Sequence, residues 1–137
     1  MAVSFGLGVR GITVLDEEVQ LMAENKVNTD HDVTSHAELN LVSFATKRFS
    51  PEALEKMVLY TSTEPCAMCA GAIFWAGVRT VVYGCSAETL GEIAGGTFVI
   101  PCREIFDHGQ EEIIIVGQVM EKKAAKVHHG FWGVIAP

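Results

Sequence analysis

Residues 59–84 read LYTSTEPCAMCAGAIFWAGVRTVVYG, and this stretch decides the fold. Residues 57–62 (MVLYTS) are rich in β-branched, aromatic and hydroxyl side chains, the composition of a strand. Glu64-Pro65 breaks the run, and residues 66–76 (CAMCAGAIFWA) are small or apolar, long enough for a helix and stopped by Gly77. A second β-rich run follows at 78–83 (VRTVVY), closed by Gly84. Alternating strand and helix predicts an α/β layer architecture.

Outward from that core the alternation continues. Residues 5–14 are Gly-rich but β-like, and 19–24 form a second strand after the acidic turn Asp16-Glu17-Glu18. Residues 25–35 (NKVNTDHDVTS) read as polar loop. Residues 36–46 form a helix, with Leu39, Val42 and Ala45 or Thr46 at helical spacing. Ser50-Pro51-Glu52 is a helix start with proline at the first position. Further along, 86–93 form a short helix, 101–106 a helical turn, 113–116 the last strand and 120–128 the last helix. Five strands with intervening helices suffice for one sheet covered on both faces.

The chain has 137 residues, which suits one domain over residues 1–137. Apolar residues reach 49%, so a real core is available. The net charge of -7 disfavours a broad contact with nucleic acid, which needs a basic face. The first eleven residues lack the pattern of a secretory signal, and no run approaches the ~20 apolar residues of a membrane span. A cytoplasmic protein is expected.

The chemistry is concentrated in two short motifs, His36-Ala37-Glu38 and Pro65-Cys66-Ala67-Met68-Cys69. Cys66 and Cys69 are three apart at the start of a helix, so their sulfurs share one face. The electropositive helix start favours thiolate. His36 opens another helix and supplies a third ligand. A catalytic zinc takes three protein ligands and keeps one position for water. Glu38, two residues past His36, is free to take a proton from that water and pass it on. Alone, Cys-x-x-Cys also fits a structural zinc half-site or a redox pair. A purely structural zinc wants a fourth ligand, for which Cys85 or Cys102 could serve. Both read instead as small core residues.

The combined order H-x-E…P-C-x-x-C is the signature of zinc deaminases. On these residues, and on 25–39 and 59–84 as a whole, the sequence resembles the cytidine deaminase superfamily. More narrowly it is similar to the branch holding guanine deaminases, yeast-type cytosine deaminases and tRNA adenosine deaminases. The resemblance implies a three-layer α/β/α fold with a five-stranded mixed sheet, and one Zn2+ per chain held by His36, Cys66 and Cys69. It implies Glu38 as proton shuttle, Asn25 as a contact to the base ring, the backbone at Ala37 as a substrate contact, and Trp75 as a pocket aromatic. Relatives begin with a helix before the Phe-Gly that opens the first strand. Here Phe5-Gly6 stands almost at the start, so that helix is expected to be missing or shortened.

Residues 85–106 carry few cations where tRNA-acting relatives are basic, which disfavours tRNA adenosine-to-inosine deamination. The expected substrate is a nucleobase, nucleoside or related aminoheterocycle of guanine or cytosine type. Phe131 and Trp132 could close the pocket, whereas His128 and His129 read as solvated helix-end residues. The resemblance also implies a homodimer or larger assembly. A catalytically silent zinc-binding partner subunit is the reading from another class, and the retained Glu38 speaks against it.

Overall fold

Two antiparallel strands, β1 (Arg10–Leu15) and β2 (Glu18–Glu24), open the described part of the chain. Asp16 and Glu17 join them with φ of 52° and 65°. Two left-handed residues in a two-residue loop match the right-handed twist of the strands. The computed structural model describes residues 10–132, with the side chains of Arg10, Val127 and residues 129–132 outside the description. The expectation of a missing or shortened first helix falls on residues before these.

The sequence-predicted 25–35 loop holds one helical turn, α1 (Val27–Asp30). Asn25 Oδ1 accepts the Val27 N–H at 2.9 Å and so starts that turn. Next come α2 (Ala37–Arg48), α3 (Pro51–Lys56) and β3 (Val58–Thr63). Ser50 caps α3 by accepting from the Ala53 N–H at 3.2 Å. α4 (Ala67–Ala76) ends at Gly77, whose φ of 92° suits a residue without Cβ. β4 (Thr80–Cys85), α5 (Ala87–Ala94), α6 (Cys102–Phe106), β5 (Ile114–Val116) and α7 (Glu121–Trp132) complete the order.

The sheet order is β2-β1-β3-β4-β5. β1 runs antiparallel to both neighbours, while β3, β4 and β5 are parallel. This mixed five-stranded sheet with helices on both faces is the three-layer arrangement expected. α2 packs on β1, β2 and α4, and α4 on α6, around Leu41, Met57, Leu59, Ile73 and Val81. α5 and α7 pack on each other, and α7 on β3 and β4, around Cys85, Ala124 and Ala125. Cys85 and Cys102 are free and buried, as read from sequence. No helix among the described residues is long and apolar enough to cross a membrane.

Gly84 sets how closely the second layer approaches. A Cβ there would lie 2.6 Å from the Ala124 Cβ and 2.8 Å from the Ser62 carbonyl oxygen. Only glycine at 84 together with alanine at 124 lets α7 lie against β4 at this spacing.

Candidate active site

β3 ends at Thr63, and the chain turns through Glu64-Pro65 into α4. In parallel sheets ligands gather beyond the carboxyl ends of strands. Cys66 is the N-cap of α4 and His36 the N-cap of α2. Pro65 therefore immediately precedes the cap of α4. Two helix starts, each electropositive, converge on one point.

There the His36 Nδ1 stands 3.6 Å from the Cys66 sulfur and 3.6 Å from the Cys69 sulfur. The three potential ligand atoms all lie within 4.8 Å of one another. A His/Cys/Cys donor set on that scale suits zinc with one position left open. Cys66 and Cys69 shift one another in opposite directions. The hydrogen bond from Cys69 is the main reason the Cys66 thiol is drawn down to about 4. The same bond, with burial, pushes the Cys69 thiol up. The Cys66 sulfur in turn raises the imidazole of His36, chiefly by hydrogen bonding. A bound cation would require both thiols deprotonated and so would displace the proton that Cys69 holds.

Glu38, in the first turn of α2, is 4% exposed. Burial pushes its carboxyl up to about 7. Its Oε1 is buried with no hydrogen-bond partner. An orphaned carboxylate oxygen beside the ligand set is what a proton carrier needs before substrate and water arrive.

A cavity of about 320 Å³ opens over this group. Asn25, His36, Glu38, Thr63, Glu64, Cys66, Leu90 and His128 line it, with Val27 and Asn28. The structure thus brings Asn25, His36, Glu38 and Cys66 to one cavity, with the Cys69 sulfur against His36 beneath it. Asn25 serves the turn and faces the cavity at once. Ala37, fully buried, lies between His36 and Glu38. Trp75 is not brought there by this chain, since it is 86% exposed on α4, against Phe74 edge to face. Phe131 and Trp132 stand at the end of α7, and their side chains lie outside the described residues.

Sequence reading missed two contributors. His128 is not a solvated helix-end residue but 3% exposed, its Nε2 2.8 Å from the Thr63 Oγ1. The signal was its spacing from Ala124 and Ala125, which puts all three on one helical stripe. Glu64 is the second. Its Oε1 accepts the Ala87 N–H at 2.9 Å and its Oε2 the Cys102 N–H at 2.6 Å. One buried carboxylate thus caps the starts of α5 and α6 and ties both to the loop that carries Cys66.

Comparison with known proteins agrees with this geometry. Residues 6–85 match the family model for the cytidine and deoxycytidylate deaminase zinc-binding region. A probable cytosine deaminase of Schizosaccharomyces pombe is 42% identical over 129 residues, covering 89% of this chain and 78% of that protein. A guanine deaminase of Bacillus subtilis is 40% identical over 72 residues, 53% of this chain and 46% of its own length. A tRNA-specific adenosine deaminase of Agrobacterium fabrum is 34% identical over 88 residues, 64% of this chain and 58% of its own length. Among solved structures, a guanine deaminase from Nitrosomonas europaea superposes with a TM-score of 0.71 at 18% identity, over 91% of this chain and 72% of that one. At that identity the likeness speaks for the fold alone.

Proposed function

This chain belongs to the cytidine and deoxycytidylate deaminase zinc-binding family, and on that premise we propose that it hydrolyses the exocyclic amine of a small aminoheterocycle, a base or nucleoside of cytosine or guanine type. It is a hydrolytic deaminase with zinc as cofactor. The observation that carries the reading is that His36, Glu38 and Cys66 line one cavity, with the Cys69 sulfur in the same ligand cluster as His36 and Cys66.

His36, Cys66 and Cys69 would hold the metal. Zinc so bound supplies the Lewis acidity that makes water a nucleophile near neutral pH. Glu38 takes the proton of the attacking water and delivers it to the ring nitrogen of the amidine. It then takes the remaining proton of the added hydroxyl and passes it to the amine; the carbon–nitrogen bond breaks, ammonia leaves, and the oxygen stays as the carbonyl. The buried site keeps bulk water away, so the carboxyl keeps the raised affinity that lets it both accept and donate. Asn25 and the backbone at Ala37 are assigned to hold the ring.

Three observations support a small substrate. The cavity, about 320 Å³, is near the lower end of the ~300–1,000 Å³ span of ligand pockets, which suits one ring system. The net charge of -7 opposes a polyanion. The Schizosaccharomyces pombe relative, named for cytosine, aligns over most of this chain. A second copy of the chain is assigned to the outer face of α4, where Met68 and Trp75 stand seven residues apart and exposed. Light scattering that finds only monomer at working concentration overturns that assembly.

The test is ammonia release across cytosine, guanine, adenine, their nucleosides and a tRNA anticodon stem. Activity on the RNA alone refutes the small-molecule reading. In parallel, Glu38→Gln should keep one zinc per chain and lose turnover by at least about 10²-fold, within the usual span for general acid–base catalysis. Unchanged turnover refutes the role given to Glu38.

A further inference from the structure

Residues 25–35 bring Asn25, Val27 and Asn28 to one wall of the site cavity, yet little of this segment is buried. Ser35 is buried, Val27 is half-buried, and the rest are exposed. α1 contributes no buried residue. Lys26 and Asp30 border a second cavity of about 470 Å³, so on that side the segment is not backed by packed side chains. Its internal shape comes from short-range bonds. Asn25 Oδ1 accepts the Val27 N–H, and Asp32 Oδ1 accepts the Thr34 N–H at 2.9 Å and the Thr34 hydroxyl at 2.7 Å. Bonds of this kind shape a turn but do not place it against a site.

The placing falls to one polar side chain of α2. Asn40 Nδ2 donates to the Glu24 carbonyl at 3.2 Å, and on its other side to the Ser35 hydroxyl at 3.2 Å and carbonyl at 3.4 Å. Glu24 immediately precedes Asn25, and Ser35 immediately precedes His36. The Ser35 hydroxyl carries the chain onward by donating to Asp30 Oδ2 at 3.2 Å. The Lys26 N–H closes the neck of the segment on the Ser35 carbonyl at 2.9 Å. Both amide protons of Asn40 and the hydroxyl proton of Ser35 are used in this way. Asp30, Ser35 and Asn40 are not metal ligands and take no part in the proton chemistry.

We propose that Asn40, Ser35 and Asp30 are positioning residues, which staple residues 25–35 at the neck and so present Asn25 and Asn28 to the substrate ring. The proposal rests on the deaminase reading above. A segment already held in its binding position does not have to be ordered when substrate arrives. Without the staple the competent position is one of several, and apparent affinity falls by the fraction that occupies it. A segment in place about a tenth of the time raises Kd about tenfold. The metal ligands stand at the starts of α2 and α4 and are held by those helices, so the reacting groups should act unaltered on what does bind.

Two measurements test the staple, one of them without substrate. Hydrogen exchange is followed in the ligand-free protein at the amides of Lys26, Asp30 and Ser35, each bonded within the segment. Asn40→Leu and Ser35→Ala should speed this exchange about tenfold or more, while the amides of α4 keep their protection. In zinc-loaded Glu38→Gln protein, cytosine, adenine and 8-azaguanine are then titrated calorimetrically. Either variant should weaken the ligand bound best by about tenfold. In active protein each should raise KM by a like factor with kcat within about threefold. Asp30→Asn, which keeps an acceptor for the Ser35 hydroxyl, should lose less than Asp30→Ala. With Asn25→Ala already present, Asn40→Leu should add less than about twofold, because the contact it positions is gone. Exchange or Kd within about twofold of the parent in both variants overturns the proposal, as does an undiminished loss on top of Asn25→Ala. Loss of zinc from the variants places their effect on His36 instead and overturns it too. A parent protein that releases no ammonia defeats the deaminase reading, while exchange and Kd still decide the staple.

Discussion

Replacing Glu64 by alanine should be among the most damaging single changes outside the four reacting residues. The carboxylate accepts two backbone N–H groups, from Ala87 at 2.9 Å and Cys102 at 2.6 Å. A hydrogen bond to a charged acceptor contributes about 1.5–3 kcal/mol, and a buried donor left unpaired costs about 1–3 kcal/mol. Glu64 is itself buried, so removing it also relieves the cost of desolvating a charge. Two lost bonds less that relief leave a destabilisation of about 3 kcal/mol. In a domain of 137 residues this lowers Tm by roughly 10 °C. Glu64→Gln keeps the shape and one acceptor but turns an amide donor on the other N–H, and should cost about half as much. The loss should also reach the metal, because Glu64 holds the loop that presents Cys66. Partners of this kind change metal affinity by about 10- to 100-fold. Differential scanning calorimetry of the loaded proteins and chelator competition for zinc check the two parts separately. A Tm shift under about 3 °C for Glu64→Ala, together with unaltered zinc affinity, would refute the clamp.

Three further outcomes are expected. Gly84→Ala should cost about 2 kcal/mol or more, since the added Cβ meets the Ser62 carbonyl and the Ala124 Cβ and must push α7 off the sheet; urea denaturation reads the cost. Stability should fall above about pH 9, because burial pushes the Cys85 thiol up to about 11 from 9.0. The unfolded chain releases that proton first, so folded stability is whole below pH 9 and is lost as the pH climbs toward 11; urea midpoints at about pH 8 and pH 10 with and without Cys85→Ala measure the slope, which the variant should flatten. Stripping the metal with a chelator should lower Tm reversibly, with recovery on adding zinc in excess of its Kd, since ligand bound only to the folded state at 100 Kd contributes about 2.7 kcal/mol. A thermal midpoint indifferent to zinc argues against metal binding by His36, Cys66 and Cys69.

Much of the fold was legible because its signals are local. Strand composition at 57–62 and 78–83, proline after Ser50 and glycine at 77 punctuate the chain near where the elements begin and end, whereas Gly84, read as closing a strand, lies within β4. Boundaries moved by a residue or two, and the turn at Val27–Asp30 was hidden in a polar run. An asparagine starting four helical residues leaves no apolar period to read. Trp75 showed the limit of reading by resemblance. Its place on α4 was clear, but which side of the helix meets the site depends on how α4 packs, and the side chain faces outward.

The amino-acid sequence by itself determined which residues are candidates for metal ligands and proton carrier. His36 and Glu38 are two apart, Cys66 and Cys69 three apart, and each pair stands at a helix start whose geometry fixes its directions. Local spacing is enough there, because backbone conformation over one turn does the positioning. Only the tertiary structure decided what surrounds them. The Thr63–His128 contact joins residues 65 apart, and Glu64 reaches 38 residues on to Cys102. Such pairs depend on how closely α7 and β4 approach and on where the chain returns after α5. No periodicity encodes those distances. They emerge when Gly84 and Ala124 let two layers touch and carry a histidine into the cavity.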